Sequence, residues 1–180
     1  LIAGYQGQTA LKVKSVIDKA KGGVLFIDEA YSITENEHTD SYGRECLTEL
    51  TKALEDYRDD LVVIVAGYTE PMRVFFESNP GLKSRFNTFI EFDDYNADEL
   101  FAILEKMCLT NEYELTPDAS DKAKQLFKDA VDNKADQFAN GRFTRNLYES
   151  IVMNHARRAA NIDEPTLQQL KIIEVADFDA

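Results

Sequence analysis

The chain has 180 residues, and its 20 lysines and arginines against 33 aspartates and glutamates give a net charge of −13. This balance argues against a general DNA- or RNA-binding protein, which needs a basic face to neutralise phosphates. No apolar run approaches the roughly 18 residues of a membrane span, and no signal peptide is visible. We therefore expect a cytoplasmic protein without nucleic-acid or membrane partners. Two cysteines and two histidines, all far apart, offer neither a disulfide framework nor a metal-ligand spacing.

Two apolar runs in the first half of the chain predict buried strands. The run VLFI at 24–27 follows helical spacing of apolar residues over 9–21, and the run LVVIVA at 61–66 follows a second helical stripe over 42–57. Short unbroken apolar runs are typical of parallel strands that are covered on both faces. We therefore predict two neighbouring strands of a parallel sheet with flanking helices.

A change of pattern near Asp93 predicts a domain boundary. Before it, Pro71 opens a short helix, 79–81 is predicted as a turn, and TFIEF at 88–92 is predicted as a third strand. After it, the patterns are helical and no convincing strand follows until the last residues. The three predicted helices begin after a cap or a glycine, at Asn96, Thr116 and Gly141.

Two adjacent acids, Asp28 and Glu29, end the first predicted strand. In open α/β sheets, ligands bind at the carboxyl edge of the strands. Asp28 can hold Mg²⁺ through water, because Mg²⁺ prefers oxygen ligands and keeps much of its hydration. Glu29, turned the other way by strand alternation, can polarise an attacking water. The competing interpretation is a charged pair that merely ends a strand, since acids are abundant in this chain.

Polar and aromatic residues follow the second strand and precede the first helix. Tyr68 and Thr69 leave the second strand and can hydrogen-bond a nucleophilic water, although an ordinary strand exit explains them equally well. Tyr5 lies between two glycines, which predicts either a mobile loop with an apolar tip or a buried turn tyrosine.

Two arginines are candidates for phosphate contacts. Arg85 follows a turn, and its guanidinium can reach a phosphate bidentately. Arg142 begins a predicted helix, where backbone N–H groups favour anions, and Arg145 lies three residues further along near the same face. Taken alone, Arg85 is more simply explained as a solvated loop arginine, and Arg142 and Arg145 as partners in salt bridges on the helix surface.

In order and spacing, these segments together resemble an AAA+ ATPase of the CbxX/CfqX type, the group that includes Rubisco activases and the sporulation protein SpoVK. The segment GGVLFIDEAY is similar to the Walker B segment of that family and is the most specific match. Four further segments resemble the sensor 1 region, the arginine-finger segment, the sensor 2 motif and the pore loop: VIVAGYTEPM at 63–72, NPGLKSRF at 79–86, NGRFTRN at 140–146 and GYQGQT at 4–9.

The resemblance implies ATP and Mg²⁺ as cofactors. Asp28 would organise Mg²⁺ and Glu29 would polarise water. Arg85 would act on the ATP of a neighbouring subunit, and Arg142 would contact the γ-phosphate from a helical lid. Sensor 1 would be Thr69, with Tyr68 as the alternative.

The resemblance also implies a truncated α/β AAA+ core over residues 1–94 and a small all-helical lid over 95–180. The intact protein would be a hexameric ring that remodels a protein substrate, which Tyr5 would grip in the central pore. Two alternatives stay open. One is a non-catalytic interaction module with the same fold; the other is a clamp-loader or replication ATPase, which the acidic composition disfavours.

The chain departs from the family because nothing in it matches GxxxxGK[ST], the P-loop that cradles phosphates. We expect the P-loop upstream of Leu1, in a longer protein, and little ATPase activity without it. In the family strand order 5-1-4-3-2, the predicted strands would be 3, 4 and 5, with the P-loop strand missing between the last two. We therefore expect either 88–92 to pair with 61–66 or a segment of another chain to fill the gap.

Overall fold

The computed structural model describes residues 8–34, 40–133 and 140–179. The chain divides into two compact units, Leu1–Glu91 and Phe92–Ala180. The predicted pore-loop residue Tyr5 lies outside the described residues. None of the helices in the described ranges is both long enough and apolar enough to cross a membrane.

The first unit contains a two-stranded parallel sheet. Strand β1 (Gly23–Ile27) lies beside β2 (Leu61–Val65), with Gly23 opposite Leu61 and Ile27 opposite Val65. The parallel arrangement predicted from the two apolar runs is confirmed. The helices of this unit are α1 (Gln8–Ala20), α2 (Asp40–Asp56), α3 (Thr69–Glu77) and the short α4 (Pro80–Lys83).

The helices cover one face of this sheet. Ile27 and Leu61 point into a core that the helices complete with the buried side chains of Val13, Ile17, Leu47, Leu50, Phe75 and Leu82. The side chains of the alternate strand residues, Val24, Phe26, Val62 and Ile64, are exposed. The prediction that the first strand is covered on both faces is therefore wrong for the described residues. An apolar run indicates that both faces of a strand need apolar neighbours. Those neighbours must come from other segments, which the run itself does not report.

The predicted third strand at 88–92 does not form. These residues have no regular secondary structure and are exposed, and the Phe89 ring packs edge-on against Phe76 with ring centroids 5.6 Å apart. A strand needs a backbone partner, and in the described part of the chain β2 pairs with β1. Repair of the sheet by the chain's own 88–92 segment is therefore wrong, and repair by another chain stays a prediction.

Two smaller predictions need correction. Helix α3 begins at Thr69, two residues before the proline that was predicted to open it. The predicted turn at 79–81 is the start of α4: the Asn79 side chain accepts a hydrogen bond from the Leu82 N–H at 3.1 Å, with Pro80 in the first helical turn. Asparagine as a cap and proline in the first turn favour helix initiation as readily as a turn.

Within the described residues, the second unit contains the three predicted helices and one further, short α-helix. In α5 (Ala97–Thr110), the Asn96 side chain accepts from the Glu99 N–H and the Glu99 carboxylate accepts from the Asn96 N–H, both at 2.9 Å. In α6 (Pro117–Asp132), the Thr116 hydroxyl accepts from the Ala119 N–H at 3.3 Å. Helices α7 (Asn140–Ala160) and α8 (Leu167–Lys171) follow. The buried core residues are Leu100, Leu104, Cys108, Ala123, Phe127, Ile151 and Ile173.

A small parallel pairing joins the middle of this unit to its last residues. Strand β3 (Glu114–Leu115) pairs with β4 (Ile172–Ile173), and the Thr116 N–H donates to the Ile173 carbonyl at 3.0 Å. The sequence pattern did not predict β3, because two residues are too few to show a period.

A buried ion pair fixes the residues that follow β4. The Arg158 guanidinium donates through Nε and Nη2 to the two carboxylate oxygens of Asp177, at 2.8 and 2.9 Å, and Asp177 is 1% exposed. Nη2 also donates to the Ile172 carbonyl, and the Glu174 N–H donates to the same carboxylate. Burial alone would raise the pKa of Asp177, but the hydrogen bonds from Arg158 and Glu174 and the charge of Arg158 outweigh it and lower that pKa.

The same ion pair orients a buried histidine. His155 Nε2 lies 2.9 Å from the Leu170 carbonyl, which can only accept, so this nitrogen carries the proton. His155 Nδ1 lies 3.0 Å from Arg158 Nη2 and 3.6 Å from Asp177 Oδ2. These contacts fix the orientation of the His155 ring, which projects from α7 against the residues around α8.

Candidate functional site

The two acids of the first strand lie at the carboxyl edge of the sheet. The Ala66 N–H donates to the Ile27 carbonyl at 2.9 Å, and the Ala30 N–H donates to the Ala66 carbonyl at 3.1 Å. These two backbone bonds keep Asp28 and Glu29 beside the end of β2. Both side chains are exposed. They are therefore accessible to a ligand at the sheet edge where α/β folds bind their ligands.

Glu29 has an unusual backbone. Strand β1 ends at Ile27, and Glu29 has φ 47° and ψ 49°, in the left-handed region, immediately before a 3₁₀ turn at Ala30–Ile33. Strand alternation therefore does not set the direction of Glu29, and that part of the sequence argument is wrong. A non-glycine residue with this backbone is uncommon. The Glu29 N–H donates to Asp28 Oδ1 at 3.0 Å, which ties the two acids together.

The chemistry of this edge fits a water-mediated Mg²⁺ contact. Mg²⁺ usually keeps several waters and takes one or two carboxylates together with phosphate oxygens. Asp28 offers such a carboxylate, exposed and oriented by its hydrogen bond from Glu29. Among the described residues no group of three or more histidine, cysteine, aspartate or glutamate side chains could enclose a metal ion. Asp28 therefore fits a hydrated ion shared with a phosphate rather than an all-protein cage.

The two sensor 1 candidates follow β2 after Ala66 and Gly67. Tyr68 is the cap residue of α3, its carbonyl accepts from the Met72 N–H at 2.9 Å, and Thr69 is the first helical residue. Both side chains are exposed. The fold thus brings Tyr68 and Thr69 to the same edge of the sheet as Asp28 and Glu29.

Gly67 allows the Tyr31 ring to pack against the backbone at this edge of the sheet. A Cβ at Gly67 would lie 2.6 Å from Tyr31 Cε1 and 3.0 Å from Met72 Cγ, so the Tyr31 ring packs directly on the glycine backbone. The sequence indicated Gly67 only as a strand breaker. The close approach to Tyr31 could not be read from it, because the two residues are far apart in the chain.

We expect Gly67→Ala to lower the free energy of unfolding of the first unit by about 1–3 kcal/mol, because the Tyr31 ring must move to admit the methyl group. Urea unfolding followed by tyrosine fluorescence measures this change. The matched control is Gly81→Ala in α4, where the nearest atom to a new Cβ is Asn79 Oδ1 at 3.4 Å. The control should be neutral or slightly stabilising, since alanine is the better helix former; equal losses in both variants would contradict the packing argument.

Arg85 lies on a different part of the first unit. Its Nη1 donates to the Gly81 carbonyl at 2.8 Å, and its Nη2 lies 3.4 Å from Glu55 Oε2. Its Nε is buried and has no hydrogen-bond partner among the described residues. Glu55 belongs to the last turn of α2, which leads into the start of β2. Arg85 is therefore held toward the amino edge of the strands, opposite the edge that carries Asp28 and Glu29.

Arg142 belongs to the second unit. It is the third residue of α7 and is exposed, as is Arg145. The preceding Asn140 has a left-handed φ of 46°. Its side chain accepts from the Tyr95 N–H at 3.2 Å and donates to Asp94 Oδ1 at 2.7 Å. The start of α7 is thus tied to the segment that leads into α5, and Arg142 lies at a helix start that favours anions.

Sequence reasoning missed two contacts that orient the predicted arginines. Glu55 is one of several acids on α2, and nothing in the pattern distinguishes it as the partner of Arg85. Asn140 had a readable signal, because asparagine tolerates the left-handed conformation and commonly precedes a helix.

Comparison with known proteins covers the whole chain. Residues 1–94 match the ATPase family associated with various cellular activities (AAA), and residues 96–180 match the AAA lid domain. A CfxQ homolog of Trieres chinensis is 40% identical over 99% of this chain and 61% of its own length. Protein CbbX of Cereibacter sphaeroides is 38% identical over 99% of this chain and 57% of its own length.

The similarity extends to a secretion-related protein. The ESX-1 secretion system protein EccA1 of Mycobacterium tuberculosis is 38% identical over 99% of this chain and 33% of its own length. The chain thus spans about 60% of the first two relatives and a third of EccA1. An α/β unit with a parallel sheet and a helical unit follow each other in the order of the two matched families. The chain therefore belongs to the AAA ATPase family, with an AAA lid domain, and is similar to CfxQ, CbbX and CbxX proteins.

Proposed function

We propose that this chain is the catalytic-edge and lid portion of an ATP-driven protein remodeller that works as a ring, most simply a hexamer, in the cytoplasm. The observation that carries the proposal is the position of Asp28 and Glu29, which two backbone hydrogen bonds hold at the carboxyl edge beside Tyr68 and Thr69. Polar groups that converge on this edge are what nucleotide chemistry in an α/β fold requires.

The two acids have separate tasks in this proposal. ATP with Mg²⁺ supplies the phosphoryl group to be transferred. Asp28 orients the hydration water of the metal ion through its exposed carboxylate. Glu29 accepts a hydrogen bond from the attacking water. This bond increases the negative charge on the oxygen of that water. Thr69, or alternatively Tyr68, holds that water from the side of β2.

Arg85 is suited to act on a neighbouring subunit. It lies toward the opposite edge of the strands from Asp28 and Glu29, so in a ring it would face the nucleotide of the next subunit rather than its own. Its buried Nε–H has no partner within the described ranges, and its contact with Glu55 is an ion pair at 3.4 Å. A phosphate can replace that partner through two parallel hydrogen bonds.

The lid and the pore complete the proposed cycle. Arg142, at the start of α7, would contact the γ-phosphate, and Asn140 fixes the helix start on which that contact depends. Tyr5 would grip the polypeptide substrate in the ring pore. Protein substrates are favoured over nucleic acid because the chain is strongly acidic.

The 180-residue chain by itself is expected to hydrolyse ATP no faster than the background rate. Positioning and electrostatic stabilisation supply nearly all catalysis of phosphoryl transfer, and the sequence contains no P-loop. A steady-state phosphate-release assay with Mg²⁺ decides this. Robust turnover that is lost in Glu29→Gln would show that these residues hold the phosphates without a P-loop.

In a longer protein that carries this chain together with a P-loop, Glu29→Gln should lower the hydrolysis rate by about 100-fold. ATP binding should persist, because the amide keeps the size of the carboxylate but cannot take charge from the attacking water. Fluorescent nucleotide titration and phosphate release measure the two effects separately. Glu70→Gln on α3 is the matched control, since Glu70 pairs with Arg73 at the surface; equal rate losses in both variants would refute the role of Glu29.

A non-catalytic interaction module with the same fold is the second candidate. One measurement, ATP hydrolysis by the longer protein, distinguishes the two functions. If the longer protein has no P-loop lysine and does not hydrolyse ATP, then the fold serves protein interaction alone.

A further inference from the structure

Tyr31 follows the two acids of the sheet edge by two residues and contacts the chain where it leaves β2. It belongs to the 3₁₀ turn at Ala30–Ile33, and its side chain is half-buried against the core of the first unit. The Cδ1–Cε1 edge of its ring faces Gly67, because a Cβ at that glycine would lie 2.9 and 2.6 Å from these two atoms. The ring thus rests on the backbone that leads directly into Tyr68 and Thr69.

Met72 borders the same contact from the first turn of α3. Its Cγ would lie 3.0 Å from a Cβ at Gly67, and its N–H donates to the Tyr68 carbonyl at 2.9 Å. The Tyr31 ring is therefore packed at the point where β2 passes into α3. Because protein interiors are close-packed, removal of this ring leaves a space into which the neighbouring backbone can move.

The backbone of Glu29 needs support from its surroundings. Its φ of 47° and ψ of 49° are unfavourable for a residue with a Cβ, and such a conformation persists only where the surrounding structure imposes it. The Ala30 N–H donates to the Ala66 carbonyl at 3.1 Å, and the Ser32 N–H donates to the Glu29 carbonyl at 2.9 Å. The Tyr31 ring adds a side-chain contact that holds the same turn against the end of β2.

We propose that Tyr31 is a positioning residue that sets the distance between Glu29 and the sensor 1 candidates, Tyr68 and Thr69. This role rests on the proposed function, in which Glu29 and one of these candidates hold the attacking water between them. Tyr31 contacts neither the water nor the nucleotide, and it acts through the backbone on both sides of the water. A misplacement of about 1 Å can lower a rate by about 100-fold, so the ring influences the rate without supplying a proton or a charge.

Removal of the ring should separate the rate from the affinity. In a longer protein that carries a P-loop, Tyr31→Ala should lower kcat about 10- to 100-fold and change the dissociation constant of ATP less than about threefold. Tyr31→Phe keeps the ring and should keep kcat within about threefold of the wild type. Phosphate release and fluorescent nucleotide titration measure the two quantities. A kcat that Tyr31→Ala leaves unchanged, or that Tyr31→Phe lowers as much as Tyr31→Ala does, would overturn the proposal.

Tyr57→Ala is the matched control, because it removes a ring from the same core. Tyr57 is also half-buried against that core, but its carbonyl accepts from the Leu61 N–H at the amino end of β2, and Lys21 Nζ lies 4.0 Å from its ring centroid. Tyr57→Ala should destabilise the first unit about as much as Tyr31→Ala does. It should nevertheless keep kcat within about threefold of the wild type at a temperature where both variants are folded. Equal losses of kcat would mean that the ring of Tyr31 serves stability alone.

Double variants show whether the effect passes through Glu29 and Gly67. Tyr31→Ala should lower the residual rate of Glu29→Gln less than about threefold, because residues that act as a unit are not additive. Gly67→Ala should raise the unfolding equilibrium constant of the first unit at least about threefold less in Tyr31→Ala than in the wild type, since residues in contact are coupled. Additive losses in either pair would refute the proposed path.

Failure of the proposed function and failure of the positioning role give different results. A longer protein with an intact P-loop that hydrolyses no ATP would refute the proposed function, and the positioning role with it. Turnover that depends on Glu29 and not on Tyr31 would refute the positioning role alone.

Discussion

Replacing Arg85 by alanine should lower ATP hydrolysis about 1,000-fold in a longer protein that carries a P-loop, with little change in ATP affinity. An arginine that reaches the phosphates of a neighbouring subunit stabilises charge that develops only in the transition state, and such contacts are worth about 10³–10⁵ in rate. Its position toward the amino edge of the strands, held by Gly81 and Glu55, makes action on its own nucleotide unfavourable. Single-turnover hydrolysis and nucleotide titration separate the rate from the affinity.

Mixing variant and wild-type subunits shows whether Arg85 acts on the nucleotide of a neighbouring subunit or on that of its own subunit. Arg85→Ala subunits mixed into wild-type rings should suppress wild-type turnover by more than their share, because each variant leaves the next site without its arginine. The matched control is Arg73→Ala on α3, where the guanidinium pairs with Glu70 and Glu77 at the surface. Activity that falls only in proportion to the variant fraction would mean that Arg85 is a surface arginine.

The second large effect concerns stability. Asp177→Asn should lower the free energy of unfolding of the second unit by about 2–4 kcal/mol. The amide removes the charge and turns a donor toward Arg158, whose guanidinium makes two hydrogen bonds to this buried carboxylate. The residues around β4 then lose the contact that fixes them to α7.

The two native cysteines report this loss separately in each unit. Cys108 is buried in the second unit and Cys46 in the first, so each thiol reacts only when its own unit opens. Labelling of Cys108 should accelerate about 30- to 700-fold in Asp177→Asn, while labelling of Cys46 stays unchanged. Glu112→Gln, which breaks the exposed pair with Lys171, should leave both rates unchanged. Equal acceleration at both cysteines would contradict a local role for Asp177.

Low pH should reduce the difference in unfolding free energy between the wild type and Asp177→Asn. The pKa of Asp177 is lower in the folded chain than the roughly 3.9 of an unfolded aspartate. Its contribution is therefore complete above about pH 4 and is lost as the pH falls through the lower folded pKa. The asparagine side chain of the variant cannot ionise, so the difference in stability between the wild type and Asp177→Asn should shrink as the pH falls below about 4 and through the folded pKa of Asp177.

Local signals in the sequence predicted most of the secondary structure. The capping residues Asn96 and Thr116 begin α5 and α6 as expected, because caps act within one turn. The apolar runs gave β1, β2 and their parallel pairing. The strand at 88–92 failed because its formation depends on a partner strand, and no local pattern reports whether that partner exists.

The site was predictable in composition and less so in geometry. Asp28, Glu29, Tyr68 and Thr69 could be placed at one edge because the carboxyl ends of parallel strands meet there. The left-handed backbone of Glu29 could not be predicted, because the sequence shows no break between the strand pattern and the two acids. The approach of Tyr31 to Gly67 is tertiary packing between distant residues, which periodicity does not encode.

The pairing of β3 with β4 has a consequence for the order of events during synthesis. The fully buried Ile173 and the Arg158 partner Asp177 come from the last residues of the second unit, whereas β1 and β2 are complete by Val65. On a ribosome, the chain leaves the exit tunnel from its amino end, and domains generally fold as units in that order. The shared core of helices α5 to α7 therefore stays incomplete until about 60 further residues after β3 have emerged and supplied Ile173 and Asp177.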